Sequence, residues 1–139
     1  YIPFWTVDWA KFGASPDSYT EDERIVVEFK SLVGNSTAEF FDDPYTPYEE
    51  KRDLVLSEHG NQLAGQFLSN DKVQEIWLVK YIYQRDEVDD DLDSPLAAWR
   101  GIVFKFYRNE FDLNAIKSRI IQFDTFIDSQ QSPSQLKFE

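Results

Sequence analysis

The chain has 139 residues, no cysteine, a single histidine and a formal net charge of −12 at pH 7. A chain of this length is expected to form one domain, residues 1–139, and to bury a core without disulfides or a structural metal. The missing cysteines also exclude zinc sites that depend on thiolate ligands.

Signals for membranes and secretion are missing from the sequence. No apolar run approaches the ~18 residues of a membrane-spanning helix, and the basic-then-apolar order of a secretory signal does not open the chain. We therefore expect a soluble intracellular protein, cytoplasmic in the simplest case, without membrane contact. The first residue is Tyr1, which leaves room for an upstream targeting segment that has been removed.

The negative charge is concentrated in the first part of the chain. Residues 1–98 carry 21 acids against 8 bases, a net −13, whereas residues 99–139 carry a net +1. A field of this sign repels phosphate backbones and anionic lipids, which disfavours nucleic acid and membranes as partners. A basic protein partner fits the charge better.

The N-terminal part is predicted to contain an arm and then a helix. Residues 1–18 are rich in large aromatic side chains without a period of two or 3.6, which indicates an extended aromatic arm. Thr20 followed by Glu23 matches a capping box. Apolar residues then recur at helical spacing through residues 25–33, so a helix is predicted there.

The segment Leu54–Leu68 is ambiguous. Its apolar residues suit an amphipathic helix, but Gly60 and Gly65 would each cost about 1 kcal/mol relative to alanine inside one. Gly60-Asn61 between two apolar runs is a hairpin turn signal. Two short strands are therefore predicted, with a helix as the alternative.

Two apolar segments, residues 73–85 and 95–107, predict a packed antiparallel strand pair. Their valine, isoleucine and aromatic side chains suit a pleated, buried surface. The acidic loop between them, about residues 86–94, is longer than the ~2 to 5 residues of an ordinary hairpin connection. Longer loops of this kind are more often functional or mobile.

The C-terminal part predicts a helix that begins after an Asp112 N-cap and ends at Ser132-Pro133. A strand through residues 116–123 is the minority alternative, and residues 132–139 are expected to be a frayed tail. The apolar residues of the helix form one stripe: Leu113, Ile116, Ile120, Phe123 and Ile127.

The predicted fold class is α+β. It consists of an antiparallel sheet of about four strands in meander order, covered by an N-terminal and a C-terminal helix. A curved sheet wrapped around a helix, as in the NTF2-like cone, is the alternative architecture, although no residue motif ties the chain to that family.

Residue motifs for catalysis are missing. His59 is the only histidine, which excludes a multi-histidine metal site, and it is expected to be an exposed turn residue. No nucleophile elbow, phosphate-binding loop, dinucleotide motif or zincin motif occurs. The acidic loop fails the EF-hand pattern, because the sixth and twelfth positions from Asp89 are Ser94 and Arg100. We predict no catalytic residues, no metal site and no cofactor.

The sequence favours a non-catalytic interaction module, an adaptor or inhibitor that docks a basic protein. An inhibitor that imitates the charge of nucleic acid is a special case. The alternative is a small-molecule-binding protein or enzyme with an aromatic pocket. The oligomeric state stays open. The predicted partner-binding residues are all acidic: Asp42, Asp43, Glu49, Glu50, Asp86, Glu87, Asp89, Asp90, Asp91 and Asp93.

Overall fold

The computed structural model describes residues 4–33, 40–83 and 101–129. No helix in these ranges is long and apolar enough to cross a bilayer. Besides a short helical piece at residues 40–42, the elements are β1 (Trp5–Thr6), β2 (Gly13–Ala14), β3 (Ser18–Tyr19), β4 (Ile25–Val33), α1 (Tyr48–Ser69), β5 (Glu75–Tyr83), β6 (Gly101–Tyr107), a 3₁₀ turn (Arg108–Glu110) and α2 (Leu113–Asp128).

The main sheet has four strands in the order β3-β4-β5-β6, and β1 pairs with β2 as a separate small hairpin. Strands β4 and β5 are parallel, in register from Ile25 opposite Glu75 to Val33 opposite Tyr83. Parallel neighbours need a long crossover connection, and α1 lies within it. The predicted antiparallel pair is confirmed as β5 and β6. The predicted meander is wrong, because the sheet is mixed.

The predicted N-terminal helix is also wrong, since Ile25–Val33 is strand β4. Thr20 does not cap a helix. Its hydroxyl accepts a hydrogen bond from the Ile25 amide at 3.2 Å and donates one to Asp22 at 2.7 Å, which closes a tight turn from β3 into β4. Within that turn Glu23 adopts a left-handed φ of 61°, which a helical first turn would not contain.

The segment Leu54–Leu68 lies inside helix α1, so the predicted hairpin there is wrong. A Cβ at Gly60 would make only ordinary contact with the Leu56 side chain at 3.8 Å, whereas one at Gly65 would approach the Phe12 ring to 3.1 Å. Gly65 therefore allows the N-terminal arm to lie close to the helix. Burial of α1 against the sheet outweighs the weak helix propensity of the two glycines.

One face of the sheet, the inner face, packs against α1 and forms the core. Side chains that share this face are aligned across the three long strands by the register: Val26, Glu28 and Lys30 of β4, Ile76, Leu78 and Lys80 of β5, and Ile102, Phe104 and Phe106 of β6. Phe41, Val55, Leu63 and Phe67 complete the buried cluster from outside the sheet. On the opposite, outer face, Phe29 is 59% exposed and Val103 is 42% exposed.

The predicted C-terminal helix is confirmed as α2, with the Asp112 side chain accepting a hydrogen bond from the Ala115 amide. It contacts the N-terminal arm and α1, and Leu113 at its start packs against the core cluster. Lys11 forms an ion pair with Asp128, and the Lys117 ammonium lies 4.8 Å from the centre of the Trp9 ring. The predicted apolar stripe is only partly covered, because it borders an open groove of about 890 Å³ beside Phe12.

Candidate functional site

Charged and amide side chains are buried on the inner face, between β4, β5 and α1. Glu28, Lys80 and Gln66 are each only 2% exposed. A buried ionisable group destabilises the fold unless its hydrogen bonds and charge are compensated. Such groups therefore mark candidate functional sites when they lie together.

Glu28 enters the core because β4 alternates between the two faces of the sheet. Val26, Glu28 and Lys30 point toward α1, so this inward row of β4 carries an acid and a base after one apolar residue. On α1, Gln62 and Gln66 are separated by one helical turn and share the face directed at this strand. Local structure thus brings one carboxylate and two amides together from separate parts of the chain.

The Glu28 carboxylate is held by hydrogen bonds from two elements. Its Oε1 accepts from Gln66 Nε2 at 2.6 Å and from the Asp17 amide at 3.1 Å. Gln62 Nε2 lies 3.5 Å from Oε2. In return, Asp17 Oδ2 accepts from the Phe29 amide at 3.0 Å, so each acid is bound to the backbone beside the other. The two carboxylates are therefore fixed as neighbours.

The environment disfavours the negative charge of Glu28. Burial raises the pKa of its carboxyl group, and the hydrogen bonds from the Asp17 amide and Gln66 oppose this shift. The negative charge of Asp17 and a hydrogen bond between the two carboxyl groups raise the pKa further. Among the described residues, no lysine or arginine forms an ion pair with either acid. When both carboxyl groups are ionised, the pair therefore has surplus negative charge.

The side-chain amide of Gln66 that donates to Glu28 also carries an oxygen without a partner. Its Oε1 is buried and has no hydrogen-bond partner, while the nitrogen of the same amide group donates to Glu28. An unsatisfied buried acceptor costs about 1–3 kcal/mol. Carboxylate and amide oxygens are the ligands that hard divalent cations prefer, so the three side chains Asp17, Glu28 and Gln66 form a candidate cation site.

The donor set suits a cation that keeps part of its hydration. In the described ranges, no three histidine, aspartate or glutamate side chains are grouped so as to hold a metal. Two carboxylates and a neutral oxygen would have to suffice. Mg²⁺ is commonly bound in this way, through one or two carboxylates, waters and the phosphate of a substrate.

A cationic group lies farther along the same face. Lys30 is directly opposite Lys80 in the register of β4 and β5. Lys80 Nζ is 3.1 Å from His59 Nε2 and 3.6 Å from Glu58 Oε2, and it lies 5.2 Å from the centre of the Phe41 ring. Burial lowers the pKa of Lys80, which the charge of Glu58 opposes.

His59 belongs to this cationic group, so the predicted exposed turn histidine is wrong. It lies within α1 and faces β5. Burial lowers the pKa of His59, and the positive charges of Lys80 and Lys30 lower it further, against a smaller opposite effect of Glu58. The imidazole is therefore neutral at physiological pH.

The predicted partner-binding acids lie elsewhere. Asp42, Asp43, Glu49 and Glu50 are near the start of α1, where Asp43 accepts hydrogen bonds from Tyr45 and Thr46 in a turn. Those bonds lower the pKa of Asp43. The remaining acids of the prediction fall outside the described residues: Asp86, Glu87, Asp89, Asp90, Asp91 and Asp93.

Sequence reasoning missed the buried group itself. The available signal was charge at inward positions of apolar strands, present at Glu28 and Lys30 in β4 and at Lys80 in β5. Comparison of the chain with family models, with curated proteins and with solved structures found no match. The geometry of the site is therefore the basis for a functional proposal.

Proposed function

We propose that the chain is a divalent-cation-dependent phosphoester hydrolase in which Asp17 and Glu28 hold the cation. The observation that carries the proposal is the buried Glu28 carboxylate, fixed beside Asp17 and next to the unpartnered oxygen of Gln66. A cation would neutralise the surplus negative charge and give the Gln66 oxygen a partner.

Lys30 supports a phosphate-bearing substrate. It is the next inward residue after Glu28 on β4 and is partly exposed. A lysine ammonium is a common point-charge ligand of phosphate. The net charge of −12 on the chain repels polyanions in general. Recognition of phosphate would therefore depend on this local arrangement of a cation and a lysine.

The reaction follows from these roles. A bound divalent cation supplies polarisation of the phosphoryl oxygen and a water of lowered pKa. The oxygen of such a water would form a bond to phosphorus as the ester P–O bond breaks. The water would give up one proton to solvent and the leaving oxygen would take up one from solvent, so the step balances. Lys30 stabilises the negative charge on the phosphoryl oxygens, while Asp17 and Glu28 keep the site assembled and Gln66 orients Glu28.

The test is hydrolysis with and without Mg²⁺ or Mn²⁺, on bis(4-nitrophenyl) phosphate and on an end-labelled single-stranded oligonucleotide. We expect cation-dependent cleavage of at least one substrate and a loss of more than about tenfold in Asp17→Asn. Glu49→Gln, an exposed acid on α1, is the matched control and should retain activity. Cleavage that persists in a chelator, or no cleavage of either substrate, would contradict the proposal.

A second candidate function is the acidic interaction module that the sequence favours. One observation supports it: Glu49 and Glu50 are exposed at the start of α1, close in sequence to Tyr45 and Tyr48, which are 91% and 45% exposed. Acidic and aromatic side chains together suit a basic protein partner, since tyrosine is enriched at interfaces.

The charge dependence of association tests this second function. A basic partner should associate more slowly as ionic strength rises, because the Debye length falls from ~30 Å at 0.01 M to ~10 Å at 0.1 M salt. Neutralising Asp42, Asp43, Glu49 and Glu50 together should lower the association rate and change dissociation less. If salt and this variant both leave the association rate unchanged, these four acids do not form the partner-binding surface.

A further inference from the structure

His59 and Lys80 form a contact that can carry one positive charge but not two. At 3.1 Å between His59 Nε2 and Lys80 Nζ, two positive charges would repel strongly, because the lysine is almost fully buried and poorly screened. A lysine ammonium can only donate. With Lys80 charged, His59 Nε2 must be the acceptor, which makes His59 neutral.

The other charges around His59 do not remove this conflict. Glu58 on α1 has Oε2 at 3.6 Å from both Lys80 Nζ and His59 Nε2. It can compensate one positive charge. Lys30 on β4 adds positive charge from the neighbouring strand, and the Phe41 ring lies beside Lys80 without contributing a formal charge. A proton added to His59 therefore leaves a net positive charge between α1 and β5.

The same side of α1 reaches both buried groups. His59, Gln62 and Gln66 occur at positions i, i+3 and i+7, which places them on one face of the helix. His59 contacts Lys80 of β5, and Gln66 donates to Glu28 of β4. Displacement of α1 at His59 would thus disturb Gln66 two turns farther along.

We infer that His59 and Lys80 are positioning residues that make cation affinity at Asp17 and Glu28 depend on the protonation of His59. The inference rests on the proposed function. When His59 is neutral, its hydrogen bond with Lys80 holds α1 against the sheet and keeps Gln66 on Glu28. When His59 is protonated, repulsion from Lys80 and Lys30 loosens this part of α1 and weakens the cation site.

The test is a Mn²⁺ titration of wild type and His59→Gln at several pH values between 5.5 and 8. Glutamine keeps an acceptor for Lys80 and does not titrate. We expect equal affinities at pH 8. At pH values below the ordinary histidine pKa of about 6.5, the Mn²⁺ affinity of the wild type should fall about fivefold or more relative to that of the variant. Protonation of Glu28 affects both proteins equally and drops out of the comparison.

Lys80→Met is a second variant, because it removes the repulsion and leaves His59 in place. It should show the same flattened pH profile as His59→Gln, at a lower affinity because the hydrogen bond from Lys80 is lost as well. A circular dichroism melt should establish that each variant is folded. Parallel pH profiles in wild type and either folded variant overturn this inference but leave the proposed function intact. Failure of the wild type to bind Mn²⁺ at pH 8 overturns the proposed function and this inference with it.

Discussion

Glu28→Gln is expected to abolish stabilisation by divalent cations while leaving the cation-free fold at least as stable as the wild type. Glutamine has the shape of glutamate and keeps an oxygen that can accept from Gln66 and the Asp17 amide. It removes the buried negative charge beside Asp17. The cation, in contrast, loses one of its two carboxylates.

The stability of the cation-free protein should depend on pH because the pKa of Glu28 is raised. Burial is the largest cause of this raised pKa. A carboxyl group with a raised pKa stabilises the fold at pH values below its ordinary pKa of about 4.5. This stabilisation is lost as the pH rises through the folded-state pKa. At neutral pH the ionised carboxylate therefore destabilises the cation-free protein. Glu28→Gln should remove this pH-dependent loss.

The measurement is thermal unfolding with and without Mg²⁺ at a concentration a hundredfold above its Kd. Under this condition a ligand that binds only the folded state contributes about 2.7 kcal/mol. We expect this gain in the wild type and in the control Glu50→Gln, and none in Glu28→Gln. A strongly destabilised variant that still responds to Mg²⁺ would make Glu28 a structural residue and not a ligand.

Phe104→Ala should cost about 3–5 kcal/mol, as expected for truncation of a buried aromatic side chain. Phe104 is fully buried on the inner face. Its ring lies 5.2 Å from that of Tyr48 and 6.0 Å from that of Phe41, measured between ring centres. The residue therefore joins β6 to α1 and to the short helical piece before it.

Val103→Ala is the matched control for Phe104→Ala, because Val103 is the adjacent residue on β6 and is 42% exposed on the outer face. It should cost less than about 1 kcal/mol. Urea unfolding measures both variants. Equal losses at the two positions would show that the outer face is covered as well as the inner face, and would contradict a core restricted to one side of the sheet.

The parts of the fold that could be predicted have strong local patterns. Strands β5 and β6 are dense in β-branched and aromatic residues, and α2 has both a cap at Asp112 and an apolar stripe. Strand β4 could not be assigned in this way, since Ile25–Val33 fits periods of two and of 3.6. The segment is a strand because it pairs in parallel with β5 along nine residues. A local sequence pattern cannot reveal this pairing.

For a similar reason, the sequence predicts helix α1 only as the alternative to a hairpin. Gly60 and Gly65 lower helix propensity, and their local sequence suits a turn. The decisive contribution is burial of Leu63 and Phe67 against the inner face, which exists only once the sheet has formed. Gly65 in addition gives room to the nearby Phe12 ring, which a Cβ would approach to 3.1 Å, a contact between distant parts of the chain.

The candidate site could not be predicted because its members are separated in sequence. Asp17 and Glu28 are 11 residues apart, and Gln66 is 38 residues beyond Glu28. Only the pairing of β3 with β4 and the crossover through α1 bring them together. With 26 acids in the chain, an individual carboxylate gives no signal until its burial is known.

The most direct measurement is the anomalous diffraction of a crystal grown or soaked with Mn²⁺. We expect one strong anomalous peak within coordinating distance of carboxylate oxygens of both Asp17 and Glu28. The same experiment on Glu28→Gln should lose the peak. Wild-type crystals in which Mn²⁺ is bound only by surface acids, with none between Asp17 and Glu28, would contradict the central claim.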